Sequence, residues 1–199
     1  MRILSLSIFF AAMLAAAAPA SYDFKDPKGV NAISFFVDSP LEPIVGHAGQ
    51  VSGTITFDTD AVEATTGSIS IPAAAVTFPN AKMTKVLHGE DWLNVAKNKT
   101  ISFTIKNVTD SKATDAGHTL TVEGAFTLNG VTKSITVPLD VRYTKGGAEK
   151  RGAGAGDLLT VGCSFTINRS AYNIKPGAIL DKVGNEIDVR FGLAGYPAK

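Results

Sequence analysis

The chain has 199 residues, with 19 basic residues against 18 acidic ones and a formal net charge of +1. This near-neutral balance contains no run of basic residues, which argues against nucleic acid or an anionic membrane surface as the main partner. The length fits a single domain with a sizeable core.

The first twenty residues predict a secretory signal peptide. Arg2 supplies a positive start, residues 3–18 are apolar apart from two serines, and Ala18-Pro19-Ala20 is a cleavage site of small residues. The apolar run is too short to predict a membrane span. We therefore expect cleavage after Ala20, one mature domain over residues 21–199, and a periplasmic or secreted location in a bacterium.

The rest of the chain alternates between apolar and polar residues with a period of two, which predicts β-strands. Because about eight such strands would leave an exposed edge in one open sheet, the pattern favours an all-β fold closed into an eight-stranded antiparallel barrel. The alternating segments are 33–37, 51–57, 68–71, 101–106, 120–128, 134–141, 159–167 and 187–193.

The strongest alternation surrounds Asn129-Gly130. Apolar residues occupy every second position on both sides of this pair, from Leu120 to Leu128 and from Ile135 to Val141. Asn and Gly both tolerate the positive φ of a tight turn, so these residues predict a β-hairpin with one buried face.

Two segments depart from the strand pattern. Residues 81–97 carry apolar side chains at helical spacing, interrupted at Gly89, and predict a short helix or two helical turns that close one end of the barrel. Residues 144–157 contain five glycines and predict a mobile surface loop.

Catalytic or metal-binding motifs are not evident. His47, His88 and His118 lie far apart and show no metal-ligand spacing, and the chain has no Gly-x-Ser-x-Gly motif. The glycine run 152–156 leads into a strand rather than a helix, which argues against a phosphate site. Cys163 is the only cysteine, and its alternation with apolar neighbours favours burial.

Arg169 follows a long apolar strand. We expect it to order a turn by donating to backbone carbonyls, with contact to the polar head of a ligand as the alternative.

The predicted barrel interior is rich in aromatic residues. An eight-stranded barrel can either fill its interior with side chains or hold one small ligand. The pattern leaves both possibilities open, but a cavity would suit a long apolar guest held by buried area. The residues predicted to contact such a guest are Phe35, Phe57, Phe103, Phe126, Phe165 and Phe191 inside the barrel and Trp92 near its mouth.

Several motifs together resemble the YceI-like family of polyisoprenoid-binding exported proteins. The most distinctive are Leu128–Lys133 (LNGVTK) and Phe165–Ser170 (FTINRS). Further similar segments, in the family's order, are 32–37, 45–47, 51–58, 88–95 and 100–103.

The resemblance implies a lipocalin-like barrel that holds an amphiphilic isoprenoid or quinone-like lipid, without another cofactor and often as a homodimer. We therefore predict a non-enzymatic lipid-binding protein. The alternatives are a structural or stress-response envelope protein with a packed barrel and no ligand, and a hydrolase or isomerase acting on a lipid. The last would need polar groups that converge on the interior.

Overall fold

The computed structural model of the protein describes residues 18–41 and 43–199. Most of the predicted signal peptide, residues 1–17, lies outside the described residues. The predicted cleavage point follows Ala20, which is the first residue of the first strand.

The described residues form one continuous antiparallel sheet with short helices at its ends. The strands are β1 (Ala20–Asp23), β2 (Ala32–Val37), β3 (Ile44–Ala48), β4 (Ser52–Phe57), β5 (Thr66–Pro72), β6 (Val76–Thr77), β7 (Thr100–Thr114), β8 (Gly117–Leu128), β9 (Val131–Thr144), β10 (Leu158–Asn168) and β11 (Glu186–Pro197). The α-helices are α1 (Ala81–His88) and α2 (Gly147–Lys150), and 3₁₀ turns cover Val62–Ala64, Ala73–Ala75 and Arg169–Tyr172.

The sheet closes into an eight-stranded barrel, as the sequence predicts. The barrel has eight strand positions. Three of these positions are each shared by two short strands, namely β1 and β2, β3 and β4, and β5 and β6. β1 pairs with β4 while β2 pairs with β3, and β4 pairs with β5 while β3 pairs with β6. The other five positions are β7 to β11, which follow one another in chain order. β11 closes the barrel by pairing with both β1 and β2.

The hairpin around Asn129-Gly130 is confirmed. β8 and β9 pair from His118↔Val141 to Leu128↔Val131, with φ of 50° at Asn129 and 74° at Gly130. These positive angles at both central residues are those of a type I′ turn, whose twist matches the twist of the strands. Alternate residues of β8 are buried, as the period-two pattern predicts.

The sequence pattern underestimates β7. Alternation predicts a strand over residues 101–106, but β7 extends to Thr114. Its pairing with β8 shifts register between Ile105 and Asn107 and again between Val108 and Asp110. Each bulge moves an extra residue out of the ladder, so the alternation that marks a strand in the sequence breaks while the strand continues.

The glycine-rich segment 144–157, predicted to be a mobile surface loop, has local structure, and its mobility remains a prediction. It contains α2, in which Ala148 is 1% exposed and donates a backbone hydrogen bond to the Gly156 carbonyl at 3.1 Å. Arg151 also forms an ion pair with Asp26 at 3.2 Å. Gly146 adopts a φ of 64°, so glycine here provides a tight turn rather than an unstructured chain.

A short helix is confirmed in the predicted segment: α1 is followed by turns over residues 89–97. Asn80 caps α1, because its side-chain oxygen accepts hydrogen bonds from the amides of Lys82 and Met83 at 2.9 and 3.3 Å. Among the described residues, none of the helices is both long and apolar enough to cross a bilayer.

Candidate ligand-binding cavity

A cavity of about 610 Å³ lies inside the barrel. Inward-facing residues of most strands border it, together with residues of α1 and of the segment before β11. Its apolar lining includes Ile33, Phe35, Val37, Ile55, Ile69, Ile71, Val76, Phe78, Leu87, Leu93, Ile101, Phe103, Ile105, Phe126, Leu128, Val137, Leu139, Val161, Phe165, Ile167, Ile187, Val189, Phe191 and Leu193. The barrel is therefore not filled by its own side chains.

One end of the cavity is closed by the chain between β1 and β2. Phe24 borders the cavity and is fully buried. Asn31 holds this segment in place, because its amide nitrogen donates to the carbonyls of Phe24 and Ala194, both at 2.9 Å. The side-chain oxygen of Asn31 accepts a hydrogen bond from the backbone N–H of Ala194 at 2.9 Å. Both polar atoms of the buried Asn31 side chain therefore have hydrogen-bond partners.

The opposite end of the cavity forms a mouth. Leu41, between β2 and β3, is 72% exposed, and Val86 on α1 is 58% exposed, yet both border the cavity. Lys82 on α1 and Lys182 before β11 are also exposed and border it. We define the mouth by these four residues. Because exposed and cavity-bordering atoms coincide here, this end is where a guest would enter.

Six of the seven residues predicted to contact a ligand border the cavity, and their binding role remains a prediction. These six are Phe35, Trp92, Phe103, Phe126, Phe165 and Phe191.

Phe57 is placed differently. It is 3% exposed and belongs to the packed core, but it does not border the cavity, whereas Ile55 two positions earlier on β4 does. Phe57 pairs with Ala20 at the beginning of β1. Alternation predicts which side of the barrel wall a residue faces, but it does not predict the depth at which the residue lies.

Glycines set the positions of two aromatic rings in the cavity wall. A Cβ atom at Gly124 would lie 2.2 Å from Cζ of Phe103, and one at Gly46 would lie 2.2 Å from Cζ of Phe35. Each ring therefore lies against bare backbone. Near the mouth, the Phe126 ring packs edge-on against Phe165 at 5.9 Å and Tyr172 at 5.5 Å between centroids.

Arg169 has the turn-ordering role that the sequence predicts. Its five N–H donors bond the carbonyls of Ile174, Lys175, Ala178, Val183 and Gly184 at 2.6–3.1 Å. The residue is 1% exposed, and burial lowers the pKa of its guanidinium. Arg169 also lies 5.9 Å from the Trp92 ring centroid. The guanidinium thus organises the segment 174–184 beside the mouth and has no donor left for a ligand.

Few ionisable groups border the cavity. They are Lys82, Cys163, Arg169 and Lys182 among the described residues, with no carboxylate and no histidine. Cys163 is buried as expected, and burial, aided by the charge of Asp140, raises the pKa of its thiol to about 12.

The histidines do not converge on the cavity. His88 bonds the Val76 carbonyl at 2.7 Å, and His47 bonds Thr77 at 3.3 Å. Within the described chain, no group of three or more His, Cys, Asp or Glu residues is arranged to hold a metal ion. The arrangement can therefore bury an apolar chain, but it offers no acid–base pair for chemistry on that chain.

Several residues that border the cavity were not predicted from the alternation. Phe24 and Phe78 border the cavity but lie between strands, where alternation gives no signal. The Phe78 ring packs edge-on against Phe35 at 5.6 Å. Met83, Val86 and Leu87 carry the helical spacing noted in the sequence, and all three border the cavity.

Known proteins similar to this chain belong to the YceI-like family. A family model described as the YceI-like domain matches residues 28–194. The protein YceI of Escherichia coli is 28% identical over 194 residues, which cover 96% of this chain and 95% of that protein.

Solved structures share the fold. The crystal structure of Burkholderia cenocepacia BcnA superposes with a TM-score of 0.67 at 21% identity and covers 82% of this chain and 95% of that one. A polyisoprenoid-binding domain from Saccharophagus degradans, implicated in plant cell wall breakdown, superposes with a TM-score of 0.64 at 12% identity. It covers 91% of this chain and 100% of that one.

Proposed function

The chain belongs to the YceI-like family, and from this premise we propose that it binds one amphiphilic isoprenoid or quinone-like lipid with its apolar chain inside the barrel. The observation that carries the proposal is the apolar cavity of about 610 Å³ with a mouth at one end. The Saccharophagus degradans domain, which is named as polyisoprenoid-binding, supports the choice of lipid.

The size of the cavity sets the length of the chain that it can hold. If a methylene group takes about the volume of one liquid water, about 30 Å³, the cavity holds about 20 carbon atoms, or about four isoprene units. Each buried methylene contributes about 0.8 kcal/mol, so full burial gives a gross gain of about 16 kcal/mol. Association and ordering costs reduce this value substantially, but enough remains for tight binding without catalysis or a cofactor.

The two alternatives fit the cavity less well. A packed structural barrel would fill its interior with side chains, whereas this interior contains a large void. A lipid hydrolase or isomerase would need convergent acid–base groups, and neither a carboxylate nor a histidine of the described residues borders the cavity.

We extend the proposal to location and assembly. Export to the bacterial periplasm or beyond rests on the signal-like first twenty residues and would place the protein near membrane lipids. The homodimer remains a prediction of the family resemblance, and sedimentation of the mature protein with and without lipid would test it.

A series of prenols of increasing chain length tests the proposal. Trp92 is the only tryptophan and borders the cavity, so its fluorescence reports on occupancy. We expect affinity to rise from two isoprene units to about four and then to level off, because further units cannot be buried. Calorimetry provides a second readout. The absence of binding at every chain length by both methods would reject the proposal.

A further inference from the structure

The mouth of the cavity carries two lysines, and we infer that Lys82 and Lys182 bind an anionic head group on the lipid. This inference rests on the proposed function and names a class of ligand for the same site, namely a prenyl or fatty chain that ends in a phosphate or carboxylate.

The two ammonium groups belong to different parts of the chain but border one cavity. Lys82 lies in the first turn of α1, and Lys182 lies in the segment that Arg169 organises. Their apolar neighbours Val86 and Val183 border the same cavity. A guest that enters between α1 and this segment would therefore pass both side chains.

Neither ammonium forms an ion pair with another described residue. Over residues 18–41 and 43–199 the ion pairs are Arg151–Asp26 and Lys175–Asp91, and neither involves Lys82 or Lys182. Asp181 is adjacent to Lys182 in sequence but forms no ion pair with it. Within this part of the chain, no carboxylate competes with a ligand for the two lysines.

The other charged residues around the cavity also favour an anionic ligand. Arg169 is the only other cationic residue that borders the cavity among the described residues, and all of its donors are taken by carbonyls. No carboxylate of the described chain borders the cavity to repel an anion. The described residues therefore combine an apolar interior with two lysines at the mouth, an arrangement complementary to an anionic amphiphile.

A lysine side chain recognises the charge of a head group rather than its shape. An ammonium on a flexible four-carbon stem offers three donors without the planar fork of arginine. It can follow a head group whose depth depends on the length of the chain. Phosphate and carboxylate are both compatible with this chemistry, while a neutral prenol or quinone would accept only the weaker hydrogen bond of an uncharged oxygen.

The test compares lipids that share a chain and differ in the head group. One arm pairs geranylgeranyl phosphate with geranylgeraniol, and the other pairs oleate with oleyl alcohol. All are used below the concentrations at which micelles form, with Trp92 fluorescence and calorimetry as readouts. The protein is the wild type, the double variant Lys82→Gln/Lys182→Gln, and the control Lys85→Gln. Lys85 is exposed on the same helix but does not border the cavity.

We expect the wild type to prefer the anionic member of at least one pair by about five- to twentyfold, since each of the two exposed ion pairs contributes up to about fivefold and the two factors multiply. The preference should shrink as salt is raised. It should disappear in the double variant and persist in Lys85→Gln. The arm with the larger preference identifies the source of the anion.

The outcomes separate the two proposals. Equal binding of the alcohol and the anion by the wild type overturns the lysine site but retains the lipid carrier. An unchanged preference in the double variant also overturns it. If no lipid of either pair binds, the proposed function itself fails.

Discussion

Replacement of Arg169 tests how the mouth is built. Arg169→Lys keeps the positive charge and most of the apolar stem but reduces five donors to three. At least two of the five carbonyls that Arg169 now bonds, between Ile174 and Gly184, would then lose their partner. The segment that they belong to carries Lys182 and Val183, which border the cavity.

The expected loss of stability follows from these contacts. A buried acceptor that loses its partner costs about 1–3 kcal/mol, so two of them cost about 2–6 kcal/mol. Four of the five bonds are only partly buried, so water can replace some of what is lost, which favours the lower half of this range, about 2–4 kcal/mol. That is a large part of the 5–15 kcal/mol of a typical domain, but it leaves a folded protein.

Urea unfolding followed by far-UV circular dichroism measures the change. Arg190→Lys is the matched control, because Arg190 lies on β11 with an exposed side chain and should change stability by less than about 0.5 kcal/mol. Hydrogen exchange of residues 174–184 should accelerate in Arg169→Lys alone. If the two variants unfold at the same urea concentration, the carbonyl cage around Arg169 does not stabilise the fold as argued.

Three further predictions address the interior. The free energy of unfolding should fall as pH rises from the ordinary thiol pKa of 9.0 towards about 12, because folded Cys163 keeps a proton that the unfolded chain releases. The thiol contributes about 1.4 kcal/mol per pH unit to the loss in this window, and Cys163→Ala should lack that share while keeping the share of the tyrosines whose pKa values are also raised; equal pH profiles would contradict it. Phe126→Asp places a charge at a residue that is 8% exposed and should abolish lipid binding or folding, so a folded variant that retains lipid by native mass spectrometry would argue against this placement. Gly124→Ala would place a Cβ 2.2 Å from Cζ of Phe103 and 2.7 Å from the Thr104 carbonyl oxygen, so it should displace both the ring and the β7 backbone, cost about 1–3 kcal/mol and weaken binding of the longest prenols. Gly192→Ala, whose Cβ would meet nothing within 4 Å, is its control in the same urea and fluorescence assays, and identical behaviour of the two would refute the steric argument.

The barrel could be predicted because its signals are local. Each of the eight predicted strands lies on an observed strand, and Asn129-Gly130 forms the expected turn. The short strands β1, β3 and β6 were not predicted, because segments of four, five and two residues have too few positions for a period of two to stand out. The two bulges of β7 interrupt the alternation after residue 106, so the sequence did not predict that this strand continues to Thr114.

The site could be predicted only in part. Alternation placed Phe35, Phe103 and Phe126 on the inner face of the barrel, and it also selected Phe57, which lies beyond the cavity. Whether an interior is empty depends on how closely side chains from distant strands meet, and no single segment encodes that distance. For the same reason, the grouping of Lys82 with Lys182 becomes visible only once the chain is folded.

Native mass spectrometry of the protein, purified gently from its own cells, shows whether the barrel carries a lipid. We expect a stoichiometric bound lipid whose apolar chain is about four isoprene units or longer, released by organic extraction and identified by its mass. A protein that carries no lipid and also fails to take up added isoprenoids, quinones and their anionic derivatives would contradict this expectation.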